Sequence, residues 1–385
     1  MVSTMGRRFL ITTFGESASK YVGTVVDGIP AGLPISEKDL AFELSFRKTG
    51  RRFVSGRREN DIPEIVSGIY EGYTTGSPLT VLVRNEDPQP TLYENVKHEP
   101  RPGHADLAFI KKYGRENWDY VGGGRSSARE TLSRVIGGTI AKKLILLRGT
   151  QVGSYLKSIG NVSGSARVTF QRAANSKHFL TRAVSERIDK RFSNIVERLL
   201  LEGDSAGGIV ETIATNVPEG LGDPVFGKLK AVLAYAIMSI PAVVGFEYGL
   251  GFDGAKLKGS EASDSIVRNS NGTISLERNL SGGILGGITT GSELVVRCAF
   301  KPSSSIRIPA KTIDLDTLED RKISVIGRHD PVVAIRGVAV VEAMVSIVLA
   351  DYSLYEGIIP VSRIERGPAL EMEEKWENYM REFTQ

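Results

Sequence analysis

Four short stretches carry side chains whose types and spacing suit chemistry. In RPGHAD (101–106), His104 follows Gly103 among small or acidic neighbours, a loop setting rather than an apolar face. That setting suits proton transfer, while the ordinary alternative is a structural histidine. GRHDP (327–331) places Arg328, His329 and Asp330 before Pro331, a residue favoured in a helix's first turn. Asp330 there reads either as an ion pair or N-cap, or as a base. GGGRSSARE (122–130) sets three glycines before Arg125, then the hydroxyls of Ser126 and Ser127, then Arg129 one turn on. Backbone amides, hydroxyls and two guanidiniums converge there, as phosphate or carboxylate recognition requires. The bland reading is a glycine turn capped by serine. KPSSS (301–305) adds Lys301 and three hydroxyls, phosphate-friendly in this company and only a polar loop on its own.

Two further stretches bear on the same chemistry. FRKTGRRFVSGRREND (46–61) holds six basic residues, Arg47, Lys48, Arg51, Arg52, Arg57 and Arg58. It reads either as a solvated loop or as a flexible clamp over a polyanionic substrate. LITTFGESASKYVG (10–23) reads as a short strand, Leu10 to Thr13, and a Gly15-Glu16-Ser17 turn of the kind that presents a reactive side chain. The position that ought to carry that side chain, residue 18, is alanine. Two look-alikes carry less. GLGFDG (249–254) has no amphipathic helix behind it, and GDPVFGKL (222–229) has leucine where a phosphate loop needs Ser or Thr for magnesium.

Composition narrows the classes. The 385 residues are 41% hydrophobic and 24% charged, ordinary for a soluble globular protein of one large or two medium domains. A net charge of +4 is too mild to argue for nucleic acid and suits a local pocket for an anion. One cysteine, Cys298, gives no disulfide framework or thiolate metal site, and four histidines make a His-rich metal centre a poor fit. No run approaches the ~20 apolar residues of a membrane span, and MVSTMGRRF lacks a signal peptide's apolar segment. A cytoplasmic protein is expected, starting at Met1 or Met5.

The positioning elements come next. The four-residue spacing of Leu132, Ile136, Ile140 and Leu144 predicts a helix over 126–147. Ile188, Phe192, Ile195 and Leu199 predict another over 185–202, stopped by Gly203. A third is expected from about Val332 to Ala350, with strands at Thr80–Val83, Ile209–Ala214 and Leu294–Phe300. IYEGYTTGS (69–77) echoes ILGGITTGS (284–292), IPAGLP (29–34) echoes VPEGLGDP (217–224), and Gly124-Arg125 echoes Gly327-Arg328. The shared order predicts one domain over 1–385 with a pseudo-two-fold duplication, the halves roughly 1–150 and 205–350. Arg125 and Arg328 would then each open a helix whose amide groups favour an anion.

Taken together, these stretches resemble the chorismate synthase family over nearly the whole chain. The resemblance is carried by TTFGES, DGIPAGLP, GRRENDIPEIVSGIYEGYTTGSP, RPGHADLAFIKKYG, GGGRSSARETLSRVIGGTIAKK, EGDSAGG, VPEGLGDPVF, AIMSIPAVVGFEYGLGF, GGILGGITTG, KPSSSI and GRHDPVVAIR. It implies an α/β fold of the β-α-β sandwich type, a homotetramer, and conversion of 5-enolpyruvylshikimate 3-phosphate to chorismate. That reaction is a 1,4-elimination of phosphate and a hydrogen. It needs reduced FMN without net redox change, and the family also brings NADP into view. No reductase domain is evident, so an external flavin reductant is expected. By resemblance, FMN is held by Arg125, Ser126, Ser127, Ala242, Gly286, Lys301, Pro302, Ser303, Ser304, Ser305 and Arg328. Substrate meets Arg47, Arg52, Arg58 and Arg129, the first less securely because the loop at 46–61 is one residue shorter than in some members. His104 would protonate reduced flavin or steady its charge. Asp330, with Ser17, would help to deprotonate flavin N5. No metal, nucleic acid or membrane partner is implied.

One departure stands out. The family writes Gly-Glu-Ser-His-Gly where this chain has Gly15-Glu16-Ser17-Ala18-Ser19. The missing histidine is the family's proton donor to the departing phosphate, so activity is expected to be reduced. Either an engineered replacement or a natural variant accounts for Ala18; the latter uses another acid or has lost activity. The rival from another class is a non-catalytic flavin- or phosphate-binding protein on the same scaffold. Ala18 favours it, and His104, Asp330 and the arginines oppose it. A nucleic-acid module would need aromatic platforms among the arginines, and only Phe53 sits between them.

Overall fold

A computed structural model of the chain describes residues 3–48, 53, 59–86, 90–164, 167–324 and 330–384. Arg52, Arg58 and Arg328, named above for substrate and flavin, lie outside the described residues, as do Arg51, Arg57 and His329.

Two antiparallel five-stranded sheets flank a layer of helices. The first uses β1 (Thr4–Met5), β2 (Leu10–Phe14), β3 (Tyr21–Asp27), β4 (Pro63–Ser67) and β5 (Leu79–Arg84), in the order β1-β2-β3-β5-β4. The second uses β6 (Gln151–Ile159), β7 (Val162–Ser163), β8 (Gly208–Thr215), β9 (Val243–Tyr248) and β10 (Leu294–Phe300), in the order β9-β10-β8-β6-β7. The main helices are α1 (Glu37–Arg47), α2 (Asp106–Tyr113), α3 (Thr131–Leu146), α4 (Glu186–Glu202), α5 (Leu229–Met238), α6 (Ala334–Tyr355) and α7 (Arg366–Thr384).

α3 packs on β2 and β3, α6 packs on β6 and β8, and the two helices pack on each other between the sheets. The sequence of α3 explains how it can serve both neighbours. Leu132, Ile136, Ile140 and Leu144 are fully buried, as their spacing predicts. A Cβ on Gly137 would stand 2.4 Å from Ile11 Cδ1 of β2, and one on Gly138 would stand 2.3 Å from Ala343 Cβ of α6. Bare backbone on both sides is what lets α3 fit between a strand and a helix, despite glycine's ~1 kcal/mol propensity penalty.

α3 begins later than its pattern predicts. Gly122, Gly123 and Gly124 have φ of 60°, 83° and 51°, values a right-handed helix excludes. Residues 121–126 and 128–130 are separate short 3₁₀ turns, and α-helix starts only at Thr131. The expectation that Arg125 opens the helix is therefore corrected, and with it the helix-dipole argument at that residue. α4 ends as predicted at left-handed Gly203 (φ 71°), and the last predicted helix runs on to Tyr355.

The two sequence echoes make matching contacts. Thr74 Oγ1 donates to Pro30 O (2.6 Å) and accepts from Leu33 N (2.9 Å). Thr289 Oγ1 donates to Pro218 O (2.6 Å) and accepts from Leu221 N (2.8 Å). In both places a two-stranded hairpin docks on a Pro-x-Gly-Leu turn.

Candidate active site

The glycine turn at 122–124 is the hub of the site. Its positive φ angles fold residues 121–130 back onto the loop after β2, and Ser17 N donates to Gly124 O (3.3 Å). Ser127 Oγ donates to Ser17 Oγ (3.3 Å), and a Cβ on Gly122 would lie 2.5 Å from that same Ser17 oxygen. Arg125 turns under the loop, donating to Gly15 O (3.1 Å) and Thr13 Oγ1 (3.0 Å). Its guanidinium thus braces the strand end that presents Ser17 and half-buried Ala18.

His104 approaches from the other side. A Cβ on Gly123 would stand 3.2 Å from His104 Cε1 and 3.4 Å from its Nε2. Nδ1 lies 2.6 Å from Asp106 Oδ1. Asp106 is gripped by Arg101, whose Nε and Nη2 each donate across 2.8 Å. Burial would push the Asp106 carboxyl up, but hydrogen bonds from Arg101 and His104 outweigh it and hold the group well below the usual carboxylate range. An ionised Asp106 only accepts, so Nδ1 carries the proton toward it and Nε2 faces the glycine turn. The KPSSS loop closes this end. Lys301 Nζ donates to Gly103 O (2.6 Å), and a Cβ on Gly103 would meet Ser304 Cβ at 3.3 Å. Ala242 sits in the left-handed region (φ 67°), and its carbonyl accepts from Lys301 N (2.9 Å). Non-glycine residues rarely adopt that conformation, and here it turns the chain beside Lys301. Ser205 Oγ donates to Ser303 O (2.7 Å), while Ser305 is half-buried and Pro302 exposed.

The second end is cationic. Arg47 Nε donates to Thr131 Oγ1 (3.1 Å) and Nη2 to Ala128 O (2.7 Å). Arg129 Nε donates to Asn85 Oδ1 (2.8 Å), and its Nη1 is paired with Asp61. Arg47 Nη1 reaches the other Asp61 oxygen at 4.0 Å, so two arginines 82 positions apart share one carboxylate. Arg129 Nη2 is buried with no hydrogen-bond partner among the described residues, Glu59 lying 3.7 Å away. Burial pushes the Arg47 guanidinium down to about 10 against the pull of Asp61, with Arg336 and Arg129 adding to the fall. Asp61 is pushed up by burial, yet Arg47 and then Arg129 hold it below the ordinary range. Asp330 lies 3.2 Å from Arg336 Nε, in the same charged group.

Asn85 ties the two ends together. Its Nδ2 donates to Glu16 O (3.2 Å) and Ser19 O (2.6 Å), and its Oδ1 takes Arg129. The fold thus brings together Ser17, Ala18, His104, Arg125, Ser126, Ser127, Lys301 and Ser303 to Ser305 at one end, and Arg47, Arg129 and Asp330 at the other. Gly286 is not brought to them. It is exposed at the turn of the hairpin Ile284–Leu285/Ile288–Thr289, which leads into the Leu294 end of β10. Ala242 and Lys301 lie at the opposite, Phe300 end of that strand. Arg101, Asp106, Asn85, Asp61, Thr131 and Arg336 were not singled out by sequence. Arg101 and Asp106 lie inside RPGHAD, Asp61 ends the basic stretch 46–61, Thr131 and Arg336 fall within the stretches that carry the resemblance, and Asn85 left no signal.

The donor set fits a phosphate-bearing flavin and a polyanionic substrate. An ammonium and several hydroxyls gather around Gly103 and Gly123, and among the described residues a buried Arg129 donor has no hydrogen-bond partner. Among the described residues no group of three or more His, Cys, Asp or Glu is placed to hold a metal, and no helix is long and apolar enough to cross a membrane.

Comparison with known proteins places the chain among relatives over nearly its whole length. The family model for chorismate synthase matches residues 9–354. The chain is 57% identical over 380 residues to the chorismate synthase of Sulfolobus acidocaldarius, covering 99% of this chain and 97% of the relative. It is 55% identical over 379 residues to that of Saccharolobus solfataricus, covering 98% and 97%. A crystal structure of chorismate synthase superposes with a TM-score of 0.73 at 28% identity, covering 98% of this chain and 100% of the other.

Proposed function

The chain belongs to the chorismate synthase family, and we propose that it eliminates phosphate and a hydrogen from 5-enolpyruvylshikimate 3-phosphate to give chorismate. The observation that carries the reading is the meeting of Arg47 and Arg129 on Asp61, next to an Arg129 Nη2 with no hydrogen-bond partner among the described residues. A substrate with one phosphate and two carboxylates needs such a cationic floor. Reduced FMN, when bound, supplies electron density that assists loss of the phosphate and takes up the hydrogen, with no net redox change.

The chain's own residues do the rest. Ser126, Ser127, Lys301 and the 303–305 hydroxyls hold the cofactor's polar groups, with Arg328 and Gly286 assigned by family resemblance alone. Arg125 braces the loop of residues 15–18. Arg47 and Arg129 bind and orient the substrate's anionic groups, joined by Arg52 and Arg58. His104, its Nδ1 hydrogen held by Asp106, takes up and gives a proton at Nε2 on the cofactor side. Asp330 is the base, poised by Arg336, and Ser17 lies within the same network. Ala18 supplies no proton to the leaving phosphate, so turnover is slowed while binding persists. The matched contacts of Thr74 and Thr289 support a chain built by duplication of a β-α unit within one domain. A homotetramer in the cytoplasm, fed by an external flavin reductant, completes the reading.

Anaerobic incubation with reduced FMN and substrate, followed by chorismate absorbance, tests it. Ala18 favours one other reading, a flavin-binding protein without turnover. That reading wins if neither this chain nor Ala18→His forms chorismate while both bind FMN.

A further inference from the structure

The buried face of α1 is charged rather than apolar. Asp39, Glu43 and Arg47 recur every four residues, so they stack on one side of the helix, and they are only 2%, 2% and 5% exposed. Three buried charges demand three sets of partners. Asp39 Oδ2 accepts from Lys143 Nζ and Oδ1 from Trp376 Nε1, each at 2.9 Å. Glu43 Oε2 accepts from Lys142 Nζ (2.5 Å) and Oε1 from the Tyr379 hydroxyl (2.7 Å). Arg47 is taken by Ala128 and Thr131 at the start of α3. Thus α3 or its leading turn serves all three levels, and α7 adds a second partner at the first two.

Aromatic packing follows the same stripe. Trp376, Tyr379 and Phe383 fall on one face of α7. Tyr379 meets the ring of Phe42 edge-on at 5.4 Å, and Phe383 meets Phe46, the residue before Arg47, at 5.8 Å. The Phe46 carbonyl is also pinned by Arg182 Nη2 at 2.8 Å. Burial, then the charge of Glu43, pushes the Tyr379 hydroxyl well above its ordinary range, so it stays a donor at neutral pH.

We propose that α7 sets the height and rotation of α1 and so aims Arg47, which makes Trp376 and Tyr379 positioning residues for the substrate's anionic group. The inference rests on the reading that Arg47 meets substrate. Its logic is geometric: a shift of about 1 Å at a binding group can weaken its action ~10²-fold, even when the cause is remote.

The test compares Tyr379→Phe, Trp376→Phe and Arg47→Lys in the full chain. Dissociation constants for 5-enolpyruvylshikimate 3-phosphate and for FMN are measured by titration, with thermal midpoints alongside. Tyr379→Phe removes one oxygen and leaves Glu43 paired with Lys142, so it is the variant expected to fold normally. The proposal expects substrate affinity to fall about three- to tenfold in both α7 variants, with FMN affinity within about twofold. A lowered midpoint with unchanged substrate affinity makes α7 a brace only and overturns the proposal. If Arg47→Lys leaves substrate affinity unchanged, the assignment of Arg47 itself fails, whatever the α7 variants do.

Discussion

His104 Nδ1 lies 2.6 Å from Asp106 Oδ1, and this contact decides which ring nitrogen faces the glycine turn. Asp106→Asn keeps the shape but presents an amide whose donor can face Nδ1 and reverse the tautomer. Misorienting a catalytic imidazole in this way costs ~10²-fold or more in kcat. The expected result is that loss, with substrate KM within about twofold, read from steady-state anaerobic kinetics. A change in KM alone would place His104 in binding.

The same carboxylate makes stability depend on acid. Asp106 is held below its unfolded value of 3.8, because hydrogen bonds from Arg101 and His104 outweigh the upward push of burial. A depressed folded pKa gives stabilisation that is fully present above the unfolded value and lost as pH falls through the folded one. Urea unfolding should therefore show a constant deficit for Asp106→Asn between about pH 5 and 7, of about 3–5 kcal/mol because Arg101 is left uncompensated. The gap should begin to narrow below about pH 4 and close only as pH falls through the folded value, well below the ordinary carboxylate range; a gap that does not narrow at all below about pH 4 would mean the contact is not ionic.

Much of this site was legible in the sequence, and the gaps have physical causes. GGGRSSARE announced itself because three consecutive glycines serve little besides tight backbone geometry. His104 was visible because its neighbours leave it no apolar face. α1 was invisible because its buried face carries Asp39, Glu43 and Arg47, so the apolar period that marks a core helix is broken at the positions that matter. Asn85 and Asp61 were missed because they act across 44 and 68 positions from Arg129, a distance no local pattern spans. α3 was placed too early because apolar spacing says where a helix packs, and the glycines' positive φ decides where it can start.

Gly122 offers a test of that turn. At φ 60° any side chain is strained, and a Cβ would press on Ser17 Oγ at 2.5 Å. Gly149 has a similar φ of 76° with nothing within 4 Å of a Cβ, so it isolates backbone strain alone. Both alanine variants should lose about 1 kcal/mol of stability from strain. Only Gly122→Ala should also weaken FMN binding, measured by fluorescence quenching. Equal flavin affinities would detach the Ser17 contact from the cofactor site.

Arg129 tests the cationic floor. Lysine keeps the charge but not the planar fork that reaches Asn85 and Asp61 together. Arg129→Lys should raise the substrate dissociation constant by about tenfold or more and leave FMN binding within about twofold. Unchanged substrate affinity in a titration would remove Arg129 from the binding site and leave it a structural partner of Asp61.

Residue 18 is the sharpest point of all. The loop around it is fully built: Arg125 holds Gly15, Asn85 holds Glu16 and Ser19, and Ser17 sits on Ser127. Alanine cannot donate a proton, and an absent general acid costs ~10²–10⁴ in rate. Ala18 is half-buried in that loop, so Ala18→His places an imidazole where the family's donor stands. Restoring the donor should raise anaerobic kcat by that factor and leave FMN affinity unchanged. Equal rates for both forms would show that this chain draws its proton from elsewhere, and residue 18 would then be spectator to the elimination.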